Sequence, residues 1–220
     1  MNKTKIEWVR NPDGTQGYSW NPIKGWCPNN CPYCYAHRMY TRFKWDKTIR
    51  FDEKELYKYD RIEKPSKIFV GSTIEMYHPG IPIDWIKRIL YHSEVLQHHT
   101  IITLTKMPLV TICYHYPSWW WVGVTMDHFL MEYRAIALKA HRFIKGKKFI
   151  SFEPLLSSME SVPLIGIDWI IIGGLTPKPV HKKEWIDDIV HRADILGIPV
   201  FIKSNAHYPI KRQDFPGGEL

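Results

Sequence analysis

No stretch of this sequence stays apolar long enough to cross a membrane; the longest such run, around Trp169–Ile172, has only the length of a strand. Met1–Arg10 has no hydrophobic stretch of the kind a secretory signal carries. Both absences lead to the expectation of a cytoplasmic chain with no membrane partner. Internal repeats, low-complexity linkers and breaks in composition are also missing. Residues 1–220 are therefore read as one domain, with 1–17 as an N-terminal extension and 204–220 as a C-terminal tail. Cysteine is scarce, at four residues, and three of the four fall within eight positions, Cys27 to Cys34. A disulfide framework would be spread more widely, and in a reducing compartment such a cluster points to metal. Acid is in deficit, with 22 Asp and Glu against 30 Lys and Arg, for a net charge of +8. A basic balance favours an acidic partner such as a nucleic acid. The cations are spread along the chain in short clusters such as Lys145, Lys147 and Lys148, and read equally well as a solvated surface.

What is present is a recurring unit of a β-branched apolar run, a polar or Gly turn, and a helical pattern. The runs are Lys67–Gly71, Thr100–Leu104, Trp120–Val124, Lys148–Phe152, Asp168–Ile172 and Pro199–Ile202. Each is short and apolar on both faces, as in a buried parallel sheet. Trp20–Gly25 supplies a first strand. Asp84 is read as the cap of a helix with Trp85, Ile86, Ile89, Leu90 and Leu96 on one face. Asp127 opens a second helix with Leu130, Tyr133, Ile136, Ala137 and Ala140 inward. Trp185, Ile186, Ile189, Val190, Ala193 and Leu196 mark a third, which Gly197 ends. Strands alternating with helices predict an α/β fold of six or seven parallel strands, as an open sheet or a partial barrel.

Polar and Gly residues follow nearly every strand. They are the cysteine loop; Ser72, Thr73 and Glu75; Thr105 and Lys106; Thr125 and Asp127; Ser151 and Glu153; Gly173 and Gly174; and Lys203 and Asn205. In parallel α/β folds this carboxyl end is where ligands bind.

The cysteines have the spacing C-x3-C-x2-C, and Pro28, Asn29, Asn30 and Pro32 between them favour a tight wrapping loop over a helix. Three thiolates on a four-iron cubane leave one iron without a protein ligand, free for a small molecule, whereas electron-carrying clusters use four cysteines. His37, two residues beyond Cys34, offers an alternative Cys3His zinc site. A third alternative is three buried free thiols. Cys113, the fourth cysteine, lies in the apolar stretch Leu109–Tyr116 and reads best as a small core residue. Trp119, Trp120 and Trp121 have the chemistry to stack a nucleobase, although a strand starting there favours packing.

C-x3-C-x2-C with an aromatic, here Tyr33, before the last cysteine resembles the motif of the radical S-adenosylmethionine (SAM) superfamily. Trp20-Asn-Pro-Ile-Lys-Gly-Trp-Cys27 and Cys34-Tyr-Ala-His-Arg38 resemble the surroundings of that motif in the spore photoproduct lyase-like branch. The whole chain is similar to a phage-associated radical SAM-like family of unassigned function. The similarity runs through Lys5-Ile-Glu-Trp8, Ile68-Phe-Val-Gly-Ser72, Leu104-Thr-Lys-Met-Pro108, Trp121-Val-Gly-Val-Thr125, Ser151-Phe-Glu-Pro-Leu-Leu156, Ile171-Ile-Gly-Gly174 and Pro199-Val-Phe-Ile-Lys203.

The resemblance implies a partial (β/α)6 TIM-type barrel with parallel strands and a [4Fe–4S] cluster on Cys27, Cys31 and Cys34. S-adenosylmethionine would bind the open iron. Its reductive cleavage would give a 5′-deoxyadenosyl radical that abstracts hydrogen from a substrate, read here as a nucleic acid or nucleotide. A reductase or flavodoxin-type protein would be the electron donor. SAM contacts are expected from Tyr33, Ser72, Thr73, Glu75, Thr105, Lys106, Thr125, Ser151, Glu153, Gly173, Gly174 and Lys203. Gly71-Ser-Thr-Ile-Glu75 departs from the superfamily's usual Gly-Gly-Glu element. Glu153 reads as a ligand contact or as a partner of Lys203 or Lys106, and Gly173 and Gly174 as a close approach to ligand or as a tight turn. Cys113 is the candidate catalytic hydrogen donor that lyase-like relatives imply. The alternatives are a radical enzyme acting on a peptide or small metabolite, and a non-catalytic zinc module that binds nucleic acid.

Overall fold

The computed structural model describes residues 1–58 and 62–217. Its described elements run β1 (Asn2–Lys3), β2 (Tyr18–Trp20), β3 (Ile23–Lys24), α1 (Tyr35–Arg42), β4 (Arg50–Phe51), α2 (Glu53–Leu56), β5 (Lys67–Val70), α3 (Ile83–His92), β6 (Thr100–Thr105), α4 (Pro108–Thr111), β7 (Trp120–Thr125), α5 (Tyr133–Ala140), β8 (Lys148–Phe152), β9 (Trp169–Ile172), α6 (Lys183–Ile195) and β10 (Val200–Ile202). Eight strands form one sheet in the order β1-β2-β5-β6-β7-β8-β9-β10, and β3 pairs with β4 separately. Every neighbouring pair from β2 to β10 is parallel, and β1 joins antiparallel to β2. The protein is thus a mixed α/β chain with a mostly parallel sheet. The sheet is open, with β1 and β10 as its edges.

The parallel strands follow one another in chain order, so the winding never reverses. Alternate residues sort the core accordingly. Ile68, Ile101, Trp120, Val122, Ile150, Ile170 and Val200 face a large cluster that also holds Ile86 and Ile89 of α3, Ala135 and Leu138 of α5, and Ile186, Ile189 and Ala193 of α6. Their neighbours Phe69, Ile102, Trp121, Phe149, Trp169, Ile171 and Phe201 face the opposite side, where Trp8 and Val9 cover them. This helix-free face is aromatic: the Trp169 ring lies 5.6 Å from Phe149 and 6.1 Å from both Trp8 and Trp121.

Several expectations are corrected. Residues 1–17 are built into the fold, because β1 pairs with β2 and Trp8 is 2% exposed. The 204–220 tail is also tied down over its described part. Arg212 and Asp214 hydrogen-bond β10, covering a sheet edge, and Phe215 packs on Trp169 and Phe201; residues 218–220 lie outside the described residues. The first parallel strand is Tyr18–Trp20, with Ile23–Lys24 turned away to pair with β4. The N-cap position of α3 is Pro82, with no side-chain cap, and Asp84 lies inside the first turn. The α5 face is rotated: Arg134, Ala135 and Leu138 are buried while Leu130, Tyr133 and Ile136 are exposed. Arg134 is drawn inward by Asp127, and that turns the helix. In α6, Ile186, Ile189 and Ala193 point inward as expected, and Gly197 ends it at φ +65°, a left-handed conformation that favours glycine. Leu196, expected inward, is 43% exposed.

Candidate functional site

The cysteine loop leaves the carboxyl end of β2 and ends at α1. Its base is clasped by β3 and β4, and Gly25 sits at φ +125° where a Cβ would come within 2.6 Å of the Ile49 backbone. Only glycine permits that approach. Within the loop, Asn30 N donates to Cys27 O at 3.3 Å and Cys34 N to Cys31 O at 3.1 Å. Asn30 takes the left-handed conformation (φ +46°) that Asn tolerates.

Each cysteine has a distinct setting. Cys27 is buried, and Glu75 N donates to its Sγ at 3.2 Å. Burial pushes its thiol pKa up, and that N–H opposes the shift. Cys31 Sγ accepts from Asn29 Nδ2 at 3.1 Å. Cys34 is the N-cap of α1, whose first turn carries no acid. Cys31 and Cys34 are half-buried and line an open depression of about 560 Å³ with Asn30, Pro32, His37, Arg38, Thr41 and Arg42.

His37 is engaged within the loop: its Nε2 lies 3.0 Å from Cys27 O and its ring stacks on Trp26 at 3.8 Å. Among the described residues no three His, Cys, Asp or Glu side chains converge as a preformed site for one metal ion.

The strand ends supply a second layer. Alternation carries the helix-free face upward through Lys106, Thr125 and Asp127, Ser151 and Glu153, Gly173, and Lys203, in the register Thr125↔Ser151↔Ile171. Asp127 is the hub. Its Oδ2 accepts from Lys106 Nζ at 3.0 Å and from the Tyr33 hydroxyl, and its Oδ1 accepts from Arg134 at 2.9 Å. Lys106 Nζ also reaches the Tyr33 oxygen at 2.9 Å. Burial works against the Asp127 charge, but Lys106, Tyr33 and Arg134 together hold its carboxyl below the usual range. For Tyr33, burial first and Asp127 second push the phenol well above its usual value.

Asp127 was expected only as a strand-end and helix-opening residue. The signal available was its place on the 121, 123, 125, 127 alternation. Arg134 was missed because it sits in a helix.

Other expected contacts are committed to protein partners. Glu75 is buried and accepts from Thr105 Oγ1 and Lys106 N, both at 2.7 Å, and from Tyr77 N at 3.2 Å. Burial pushes its carboxyl up, and those three donors oppose it. Thr105 falls on the opposite strand parity to Lys106, so Glu75 and Thr105 brace the site without facing it. Ser72 exchanges hydrogen bonds with Asn21 and takes the Tyr35 hydroxyl on its carbonyl; Thr73 beside it is half-buried. Glu153 pairs with Lys203. Gly173 lies against Glu153, where a Cβ would come within 2.9 Å, and Gly174 sits against Asn205, which bonds both its N and its O. These glycines serve approaches within the chain.

Ser151 differs: it is fully buried on the helix-free face and its Oγ has no hydrogen-bond partner among the described residues. Cys113 is exposed in the turn after α4, a correction to its reading as a core residue, because the neighbouring Leu109 and Ile112 are exposed as well. Trp120 and Trp121 are buried packing residues and Trp119 is half-buried.

Fold and site together define an α/β protein with three cysteines on the loop after its first parallel strand. Residues 3–214 match the family described as Protein of unknown function (DUF5131), and the chain belongs to that family. Comparison with curated proteins and with solved structures returned no match.

Proposed function

We propose that this chain is a radical SAM enzyme that binds a [4Fe–4S] cluster through Cys27, Cys31 and Cys34 and acts on a nucleic acid or nucleotide. The observation that supports it most is the cysteine loop. Three thiols, two of them accepting N–H hydrogen bonds, stand at the carboxyl end of a parallel strand beside Tyr33 and the Asp127 hub. A reduced cluster held on these cysteines would supply the single electron that cleaves SAM reductively, the chemistry by which hydrogen would be abstracted from the substrate. The electron would come from a reductase or flavodoxin-type donor.

The chain's own part is binding and orientation. Cys27, Cys31 and Cys34 would hold the cluster, and three protein ligands would leave room for SAM. Lys106 and Asp127 fix Tyr33, and with it the loop segment between Cys31 and Cys34. The orphaned Ser151 hydroxyl, with Thr125 beside it in register, offers a polar contact to a ligand on that face. Seven parallel strands in chain order, with α3, α5 and α6 packed on one face, suit the partial (β/α)6 barrel such chemistry uses. Among the described residues no helix is long and apolar enough to cross a membrane, consistent with a cytoplasmic enzyme.

The test is anaerobic purification. A brown protein with about four irons and four sulfides per chain is expected. Dithionite should then release 5′-deoxyadenosine from SAM, and Cys31→Ala should abolish both colour and release. A colourless protein carrying one zinc that His37→Ala removes would overturn the proposal in favour of the zinc module.

A further inference from the structure

Some of the cations on this surface are paired. On α6, Lys183 bonds Asp187 and Arg192 bonds Asp188, each four residues apart, and Arg88 and Arg212 have acidic partners too. The segment from α1 to β4 is dense in positive charge. Between residues 38 and 50 it carries Arg38, Arg42, Lys44, Lys47 and Arg50 against one acid, Asp46, and that acid is taken by Arg50 at 2.9 Å. Among the described residues, Arg38, Arg42, Lys44 and Lys47 have no ion pair. Every residue from Thr41 to Thr48 is exposed.

Aromatic rings lie among these cations. Phe43 is 52% and Trp45 43% exposed, and their rings stack at 5.3 Å and 24°. Arg42 lies over Phe43 at 5.4 Å, and Lys47 lies over Trp26 at 4.3 Å. Phe43 and Trp45 touch each other, Arg42 and Tyr40, yet both rings keep a large face in water beside cations that have no acidic partner among the described residues. The patch is continuous with the candidate site: Arg38, Thr41 and Arg42 line the same depression as Cys31 and Cys34.

We propose that this face is the docking surface for a single-stranded polynucleotide, which it leads along α1 toward the cysteine loop. Phosphates lie along Arg38 and Arg42, one helical turn apart, and then on Lys44 and Lys47. An unstacked base lies on the Phe43–Trp45 pair. A single strand is favoured over a duplex because the rings need a free base face, which paired and stacked bases do not present. With its single acid, Asp46, already paired to Arg50, the face favours an anionic partner. This inference rests on the radical SAM reading for what happens to the strand, and stands apart from it for how the strand is held.

The experiment measures fluorescence anisotropy of labelled twelve-nucleotide single-stranded DNA, single-stranded RNA and duplex DNA with the full chain, without SAM, over a range of salt. Single strands should bind more tightly than duplex, and the two single-strand arms identify the nucleic acid. With four phosphate contacts the log–log salt slope should be near −3, at about −0.7 per contact. Arg42→Glu with Lys44→Glu should weaken binding at least about tenfold and flatten the slope by about 1.4. Trp45→Ala should weaken binding about tenfold or more while leaving the slope unchanged. Because Trp45 also packs on Tyr40, ultraviolet crosslinking of the unaltered chain provides a second readout, with adducts expected within residues 38–50.

Three results would overturn the proposal: no strand binding, preference for duplex, or an unaltered Kd and slope in the charge-reversed variant with crosslinks elsewhere. Strand binding at this face without 5′-deoxyadenosine release would sink the radical reading alone. Release with strand binding unaffected by the charge reversal would sink the docking surface alone.

Discussion

Glu75 donates its backbone N–H to Cys27 Sγ at 3.2 Å while its own carboxylate is held by Thr105 and by the backbone of Lys106. One residue thus ties Cys27 to the ends of β5 and β6. Its two functions are separable, because the bond to sulfur comes from main chain and the clamp from side chain.

Glu75→Gln should keep the bond to Cys27 but set an amide NH2 against the N–H of Lys106, costing about 1–3 kcal/mol for the unmet donors. Glu75→Ala removes the clamp altogether, so the loop should loosen. The reaction of Cys27 with a disulfide reagent, slow in a thiol that is buried and pushed up in pKa, should accelerate in Glu75→Ala and much less in Glu75→Gln. Equal rates in the two variants would mean that the carboxylate does not position the cysteine.

The Asp127 hub predicts strong coupling. Asp127→Asn leaves Lys106 and Arg134, whose side chains are 13% and 10% exposed, without their counter-charge. The loss should be about 2–3 kcal/mol, below the full value for a completely buried pair. Tyr33→Phe removes one hydroxyl and should cost about 1 kcal/mol. Together they should cost less than their sum, because both break the same contact. Urea unfolding of the two single variants and the double variant measures this, and strict additivity would show that the Tyr33–Asp127 contact contributes nothing.

His99 sets a pH dependence remote from the cysteines. Its Nδ1 accepts from Ser66 N at 3.1 Å, and burial, helped by neighbouring His98, lowers its pKa to about 4. Between pH 6.5 and 4 the unfolded chain binds this proton and the folded chain does not. Stability therefore falls as pH drops through that window, by up to about 3 kcal/mol. His99→Asn removes the titration while keeping an acceptor for Ser66, so its unfolding free energy should fall less between pH 7 and 4.5. A residual slope should remain from His141, whose pKa burial also lowers. Parallel pH profiles for the two proteins would refute the assignment.

Much of this architecture was legible because buried parallel strands are continuous apolar runs. Lys148–Phe152 matched to the residue, and the other five runs matched within one residue at each end. The three cysteines and the strand-end residues were found for the same reason: they are local in sequence. What failed was side-chain commitment across long separations. Sequence offers no sign that Glu75 turns to Thr105, that Gly174 is small because Asn205 sits against it, or that Arg134 turns α5 inward to reach Asp127. Trp8 reads as part of an extension because a single aromatic has no period to reveal which surface it covers.

Gly123 tests the aromatic packing on which the site stands. It lies in β7 between Leu104 and Phe149 in register, and a Cβ there would meet the Phe149 ring at 2.3 Å. Phe149 is fully buried and packed against Trp169, with Trp8 at 6.2 Å, so the ring has nowhere to retreat without moving both indoles. Gly123→Ala is therefore an overpacking substitution and should cost at least about 1–3 kcal/mol, outweighing the gain in strand propensity. The near-ultraviolet circular dichroism of the tryptophans should change with it, while Gly217→Ala, where nothing lies within 4 Å, should leave both stability and spectrum unaltered. If Gly123→Ala is as stable as the parent chain, the helix-free face is looser than its geometry implies. The strand ends above it would then not be a rigid platform for Lys106, Asp127 and Ser151.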